Sequence, residues 1–141
     1  MEIKQYVSTD YTPLMEVWES AVRATHDFLK PEDFNFFQAA IPNEYLPNLA
    51  IYILEDAGIK AFAAVSGTAL EMLFVHADAR GKGYGGKLLQ FAIAELGIQE
   101  VDVNEQNEQA VGFYRKYGFR QVGRLEKDGA GKDYPILQLS L

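Results

Sequence analysis

Between Leu70 and Gln90 the chain reads LEMLFVHADARGKGYGGKLLQ: an apolar run, a polar turn, four glycines within six residues, and then apolar residues at helical spacing. Residues of these types in this order suit the holding of a phosphate. Arg80, Gly81, Lys82, Gly83, Tyr84, Gly85 and Gly86 fall where a strand hands over to a helix, so backbone N–H groups without an intrahelical partner can point at an anion. Glycine permits close backbone approach and positive φ, while Arg80 and Lys82 bring charge and donors beside a pyrophosphate.

Two ligand classes could use such a loop. Gly81, Gly83 and Gly86 satisfy the dinucleotide fingerprint G-x-G-x-x-G, and Asp102 or Glu105 follows about 20 residues on, as a nicotinamide-dependent oxidoreductase requires. In that fold, however, the glycines follow the strand almost at once and open the first βαβ unit. Here His76 to Ala79 intervene, about half the chain comes first, and only 55 residues follow Gly86. The competing pattern is R-x-x-G-x-G, supplied by Arg80, Gly83 and Gly85. A second block, VDVNEQNEQAVGFYRKYGF from Val101 to Phe119, carries Asn107, Ala110, Phe113, Tyr114, Gly118 and Phe119. With both blocks in this order and at this separation, the chain resembles the GNAT superfamily of N-acetyltransferases along nearly its whole length. The C-terminal DYPILQLSL, Asp133 to Leu141, is similar to one group of small bacterial members.

The resemblance implies an α/β fold of the α+β kind: a mixed, mostly antiparallel sheet of six to seven strands, splayed between the fourth and fifth and flanked by about four helices. It implies transfer of acetyl from acetyl-CoA to a primary amine by direct attack in a ternary complex, with no metal. Arg80 to Gly86, with Lys87 just inside the helix, would hold the pyrophosphate. Backbone groups around Phe74 and Val75 would pair with the pantetheine arm, an N–H near Val75 polarising the thioester carbonyl. Asn107 and Phe113 would border the same cofactor. Tyr114 takes the tyrosine position of the family's N-x-x-A-x-x-F-Y block and is the implied general acid, donating to the leaving thiolate. Without the resemblance, Tyr114 is an amphipathic aromatic with a polar tip, and Asn107 a helix N-cap.

Two residues compete for the general base. Glu71 lies on the fourth strand and shares a face with Ala69 and Leu73, which would turn it into the splay; the family's carboxylate on this strand aligns instead with Ala69. His26 titrates near neutrality and stands where the first helix meets the acceptor groove. A water relay needing neither is a third alternative. In a different class, the chain keeps CoA as a sensor or interaction module without turnover. The acceptor is a small-molecule or peptide amine, open between a polyamine, an amino acid, an antibiotic and a protein N-terminus.

The elements that must position these residues are legible from periodicity. Met1 to Val7 alternates as a strand, and from Thr12 apolar residues recur every three or four positions, with Thr12 as N-cap and Pro13 at N1. A second helix is expected from Pro31 to Pro42. Leu49 to Glu55 and Ile59 to Val65 form a hairpin about Asp56-Ala57-Gly58, followed by a strand from Ala69 to Val75. A helix from Gly83 to Leu96, a strand Val101 to Val103, a helix Asn107 to Tyr117 stopped by Gly118, and a hairpin of Arg120 to Leu125 with Tyr134 to Leu141 complete the chain. Trp18, Phe28, Phe34, Phe37 and Tyr45 are candidates for an acceptor pocket, most of them better placed as core. His76 reads as a turn residue, and Glu32 and Asp33 as acids in a first helical turn.

Composition narrows the class. A chain of 141 residues buries about 68% of its unfolded surface, enough for one domain spanning residues 1–141. The absence of cysteine excludes a thiol nucleophile and suits a reducing, cytoplasmic setting. No apolar run approaches the roughly 20 residues of a membrane span. A formal charge of −7 repels phosphate backbones, so nucleic acid is not an expected partner, whereas cationic amines are favoured. The alternating LQLSL terminus could close the sheet within a monomer or join a homodimer interface.

Overall fold

A computed structural model describes every residue from Met1 to Leu141. After the short strand β1, Glu2–Gln5, the helix α1, Thr12–Thr25, buries Leu14, Val17, Trp18, Ala21 and Val22 along one stripe. Its N-cap position is Tyr11 rather than Thr12, and the Thr12 N–H donates to the Asp10 carboxylate at 3.1 Å. The helix α2, Pro31–Ala40, does not end the helical path at Pro42. The chain widens into a π turn, Ile41–Tyr45, in which the Leu46 N–H bonds to the Ile41 carbonyl, and then tightens into a 3-10 turn, Leu46–Asn48. The wider turn accommodates a proline ring that would clash with a regular α turn.

Three strands then form an antiparallel meander: β2, Ala50–Glu55, β3, Ile59–Ser66, and β4, Ala69–Val75. A crossover through the helix α3, Tyr84–Leu96, brings β5, Glu100–Asn104, parallel to β4. The helix α4, Glu108–Lys116, and the strands β6, Arg120–Leu125, and β7, Ile136–Ser140, finish a seven-stranded sheet in the order β1-β2-β3-β4-β5-β7-β6. Every pairing except β4–β5 is antiparallel, which is not the run of parallel strands that a dinucleotide fold requires. No helix is long and apolar enough to cross a membrane.

The central strand β3 is buried on both faces. Ala61 and Ala63 face a core built with Leu88 and Leu89 of α3 and Tyr114 of α4, whereas Phe62 and Ala64 face Leu14, Val17 and Trp18 of α1. Helices therefore cover both sides of the sheet and anchor its middle, leaving β4 and β5 free to diverge at one end.

That divergence has a local cause. Only Ala69 and Leu70 of β4 pair with β5. Immediately afterwards the register with β3 slips, Val65 opposing Leu70 while Ala64 opposes Met72, so that Glu71 is the extra residue of a β-bulge. The bulge flips the alternation: Leu70, Leu73 and Val75 pack toward the α3/α4 core, and Met72 and Phe74 toward α1. The face expected to be common to Ala69, Glu71 and Leu73 does not exist, because strict period-two counting fails across a bulge.

Candidate active site

The gap beyond Leu70 exposes backbone groups. The His76 N–H bonds to the Lys60 carbonyl at 2.8 Å, and in an antiparallel pair alternate residues turn the same way, so Phe74 and Met72 also direct their peptide groups at β3. Leu73 and Val75 direct theirs into the gap, where β5 no longer pairs. Phe74 instead borders the gap with its side chain, its ring 5.7 Å from that of Phe62. Leu73 is the residue that sequence reasoning missed; counting by twos back from Val75 finds it.

Past β4, His76 caps a 3-10 turn, Ala77–Ala79, its Nδ1 accepting from the Asp78 N–H at 3.1 Å, which makes it the turn residue expected. The glycine loop then feeds α3 through Gly83, whose φ of +80° in the N-cap position suits glycine. Gly83 offers no side-chain cap, and the first N–H of the helix to bond back is that of Lys87, to the Gly83 carbonyl at 3.1 Å. The amides of Tyr84, Gly85 and Gly86 are left for an anion. Gly86 packs closely against the end of α4, since a Cβ there would stand 2.1 Å from the Tyr117 hydroxyl. Around the loop, the Arg80 guanidinium donates to Oε1 of the Gln109 side chain on α4, and Gly81, Lys82 and Lys87 are exposed. Tyr84 turns away from the loop mouth into the core, and its hydroxyl donates to the Asp56 carboxylate in the β2–β3 turn.

At the other wall, Tyr114 is only 6% exposed, and burial raises its pKa well above the usual phenol range. No side-chain hydrogen bond reaches its hydroxyl, and no fully enclosed side-chain polar atom in the chain lacks a partner, so the hydroxyl opens onto the cavity. The Phe113 ring packs edge-on at 5.2 Å from that of Tyr114. Asn107 is the N-cap of α4, its Oδ1 accepting from the Ala110 N–H at 3.2 Å, which leaves its amide group toward His26 Nε2 at 3.4 Å.

His26 ends α1, its N–H bonded to the Val22 carbonyl at 2.8 Å. Its Nδ1 lies 2.7 Å from Thr25 Oγ1, whose proton is committed to the Ala21 carbonyl at 2.8 Å. The network therefore puts the imidazole proton on Nδ1 and leaves the Nε2 lone pair facing Asn107 and the cavity. Burial lowers the His26 pKa, against a smaller opposing pull from Asp27. Glu71 is pushed the other way for a carboxyl, upward, by burial first and by the Asp102 carboxylate second.

These side chains border two adjoining cavities. The first, about 180 Å³, is bounded by His26, Val75, Arg80, Gly85, Phe113 and Tyr114; the second, about 160 Å³, by His26, Glu71, Asp102, Asn107 and Tyr114. Of the aromatic candidates for an acceptor pocket, Trp18 and Phe34 stack on each other at 5.0 Å against the core. Phe28 stands 5.2 Å from the His26 ring, and Phe37 and Tyr45 line a separate outer groove. Asp33 is occupied by Tyr134 and Lys132, and Glu105 by Arg124. A neutral phenol, a neutral imidazole and unpaired backbone groups around a slot beside a loop with free helix N-terminal amides suit transfer of an acyl group from a phosphate-bearing donor.

Residues 47–121 match the acetyltransferase (GNAT) domain model, and the chain belongs to the GNAT acetyltransferase family. It is 38% identical over 129 residues to the peptidyl-lysine N-acetyltransferase YjaB of Escherichia coli K12, spanning 90% of this chain and 87% of that protein. The solution structure of apo-form YjaB from Escherichia coli superposes with a TM-score of 0.89 at 35% identity, over 99% of this chain and 95% of that one. The PaiA N-acetyltransferase of Thermoplasma acidophilum, solved with coenzyme A, shares the fold with a TM-score of 0.72 at 20% identity, each chain covered in full.

Proposed function

We propose that this enzyme acetylates the ε-amino group of lysine in peptides or proteins, taking the acetyl group from acetyl-CoA by direct attack in a ternary complex. The naming of YjaB as a peptidyl-lysine N-acetyltransferase supports this acceptor. Acetyl-CoA supplies an activated thioester and a pyrophosphate. The free amides of Tyr84, Gly85 and Gly86, with Arg80, Lys82 and Lys87 around them, fit the pyrophosphate. Leu73 and Val75 bind the pantetheine arm by main-chain pairing, in the manner of an added strand.

His26 Nε2 accepts a proton from the substrate ammonium, which frees its lone pair. The Val75 N–H donates to the thioester oxygen and stabilises the charge that develops there as the C–N bond forms. As the C–S bond breaks, Tyr114 donates its phenolic proton to the departing sulfur, and the proton that the attacking nitrogen sheds on becoming an amide restores the phenol. Asn107 holds the His26 ring. Glu71, at the outer end of the second cavity, draws the cationic side chain inward.

One observation carries this mechanism: the Tyr114 hydroxyl has no side-chain partner of its own and opens onto the cavity between β4 and β5, on a side chain whose burial favours the neutral phenol. Tyr114→Phe is expected to lower kcat on a lysine peptide by about 100-fold while acetyl-CoA affinity, measured by calorimetry, changes by less than about twofold. Undiminished turnover would remove Tyr114 from the role of acid.

A further inference from the structure

Outside the catalytic slot lies a groove of about 510 Å³, formed by α2 and its π turn, the β4 bulge and the loop that leads into β7. Its walls combine two aromatic rings, Phe37 and Tyr45, with three carboxylates, Glu44, Glu71 and Asp128. None of these three carboxylates forms an ion pair. Lys132, in the same loop as Asp128, is committed elsewhere: its Nζ bonds to Asp33 at 2.9 Å and sits 4.4 Å above the Phe36 ring. Asp128 is held rigidly, its Oδ1 accepting from the Ala130 and Lys132 N–H groups at 3.0 and 2.8 Å, with Oδ2 left free.

The groove adjoins the inner cavity, the two sharing Glu71 and Met72 in their walls, and the Tyr114 hydroxyl opens onto that cavity without a side-chain partner. Whatever places an amine against Tyr114 by this route must lay the rest of its length along the carboxylates. Unpaired acids beside aromatic faces complement a cation on a long aliphatic stem: the charge meets the carboxylates and the stem covers the rings.

We infer that this groove binds the segment flanking the target lysine and selects an arginine or lysine there, so that basic segments of polypeptide are the preferred substrates. This rests on the lysine-acetylating reading above. The test compares two lysine peptides that differ only in flanking residues, arginine against glutamine, on the wild-type enzyme and on Glu44→Gln, Asp128→Asn and their combination. Asparagine at 128 keeps an Oδ1 to accept the two loop amides, and the two positions lie on different elements, so a shared effect is not a folding defect. The wild type is expected to favour the arginine peptide about tenfold in kcat/KM, mainly through KM and less at high salt, and the double variant to lose most of that ratio. An unchanged ratio in the double variant, or no preference in the wild type, overturns the inference.

Binding is measured in parallel by fluorescence anisotropy, using the same peptides with norleucine in place of the target lysine. A charge preference there that disappears in the double variant, with no lysine peptide acetylated, sustains the groove and refutes the lysine reading. Acetylation indifferent to flanking charge sustains the lysine reading and refutes the groove.

Discussion

His26 and Tyr114 are held uncharged by the same cause. Burial disfavours the charged form of each, lowering the imidazole pKa and raising the phenol's. For His26 the sign follows from proton counting: between its depressed folded pKa and its ordinary value of 6.5 the unfolded chain binds more protons. The His26 contribution to stability is therefore complete above pH 6.5 and is lost as pH falls through that window. Urea midpoints at pH 7.5 and 5.5 should fall more in the wild type than in His26→Gln. In the proposed mechanism the same ionisation sets activity. The acidic limb of kcat/KM is expected below pH 6.5 and should vanish in His26→Gln; a limb that survives there but is lost in Glu71→Gln transfers the base to Glu71.

At the scale of elements, the start of α3 is placed by more than its glycines. Tyr84 is 7% exposed and bonds to Asp56 across the β2–β3 turn, so the loop is tied to a hairpin on the far side of β3. Tyr84→Phe removes this part-buried hydrogen bond and should raise KM for acetyl-CoA about fivefold with kcat retained, whereas Asp56→Asn, which still accepts from the Tyr84 hydroxyl, should leave KM nearly unchanged. Gly83→Val, at a positive φ, should abolish CoA binding in calorimetry, and retained affinity would show that the loop does not cradle the cofactor. This tie was not legible in the sequence, because the tyrosine stands within a phosphate motif and its partner within an ordinary turn. The helix starts and stops were legible to within a residue or so, since caps, prolines and terminal glycines act locally. The π turn at Pro42 was not, because proline by itself signals an end and only the packing of Ile41 and Leu46 into the α1 core keeps the path helical beyond it.

Across the whole molecule, α2 is fastened to the C-terminal hairpin. The Tyr134 hydroxyl donates to Asp33, 101 residues away in the chain, and accepts from the Lys30 N–H at 3.1 Å, while Lys132 bonds to the same carboxylate. Residues of α2 and its π turn and of the loop before β7, the two parts so joined, stand among the walls of the outer groove. Tyr134→Phe should destabilise the protein by about 1–2 kcal/mol in urea unfolding and weaken selection for basic peptides. The amino-acid sequence alone determined the element types, the glycine loop, the Asn107 to Phe119 block and the strand–helix crossover joining them, because periods of two and 3.6 and runs of glycine are encoded over short spans. Tertiary structure decided which backbone groups face the gap, where Glu71 points, which His26 nitrogen keeps its lone pair, and what Tyr84 and Tyr134 hold. Each of these depends on register or on a partner far away in the chain, and a single bulged residue in β4 is enough to reverse every face counted beyond it.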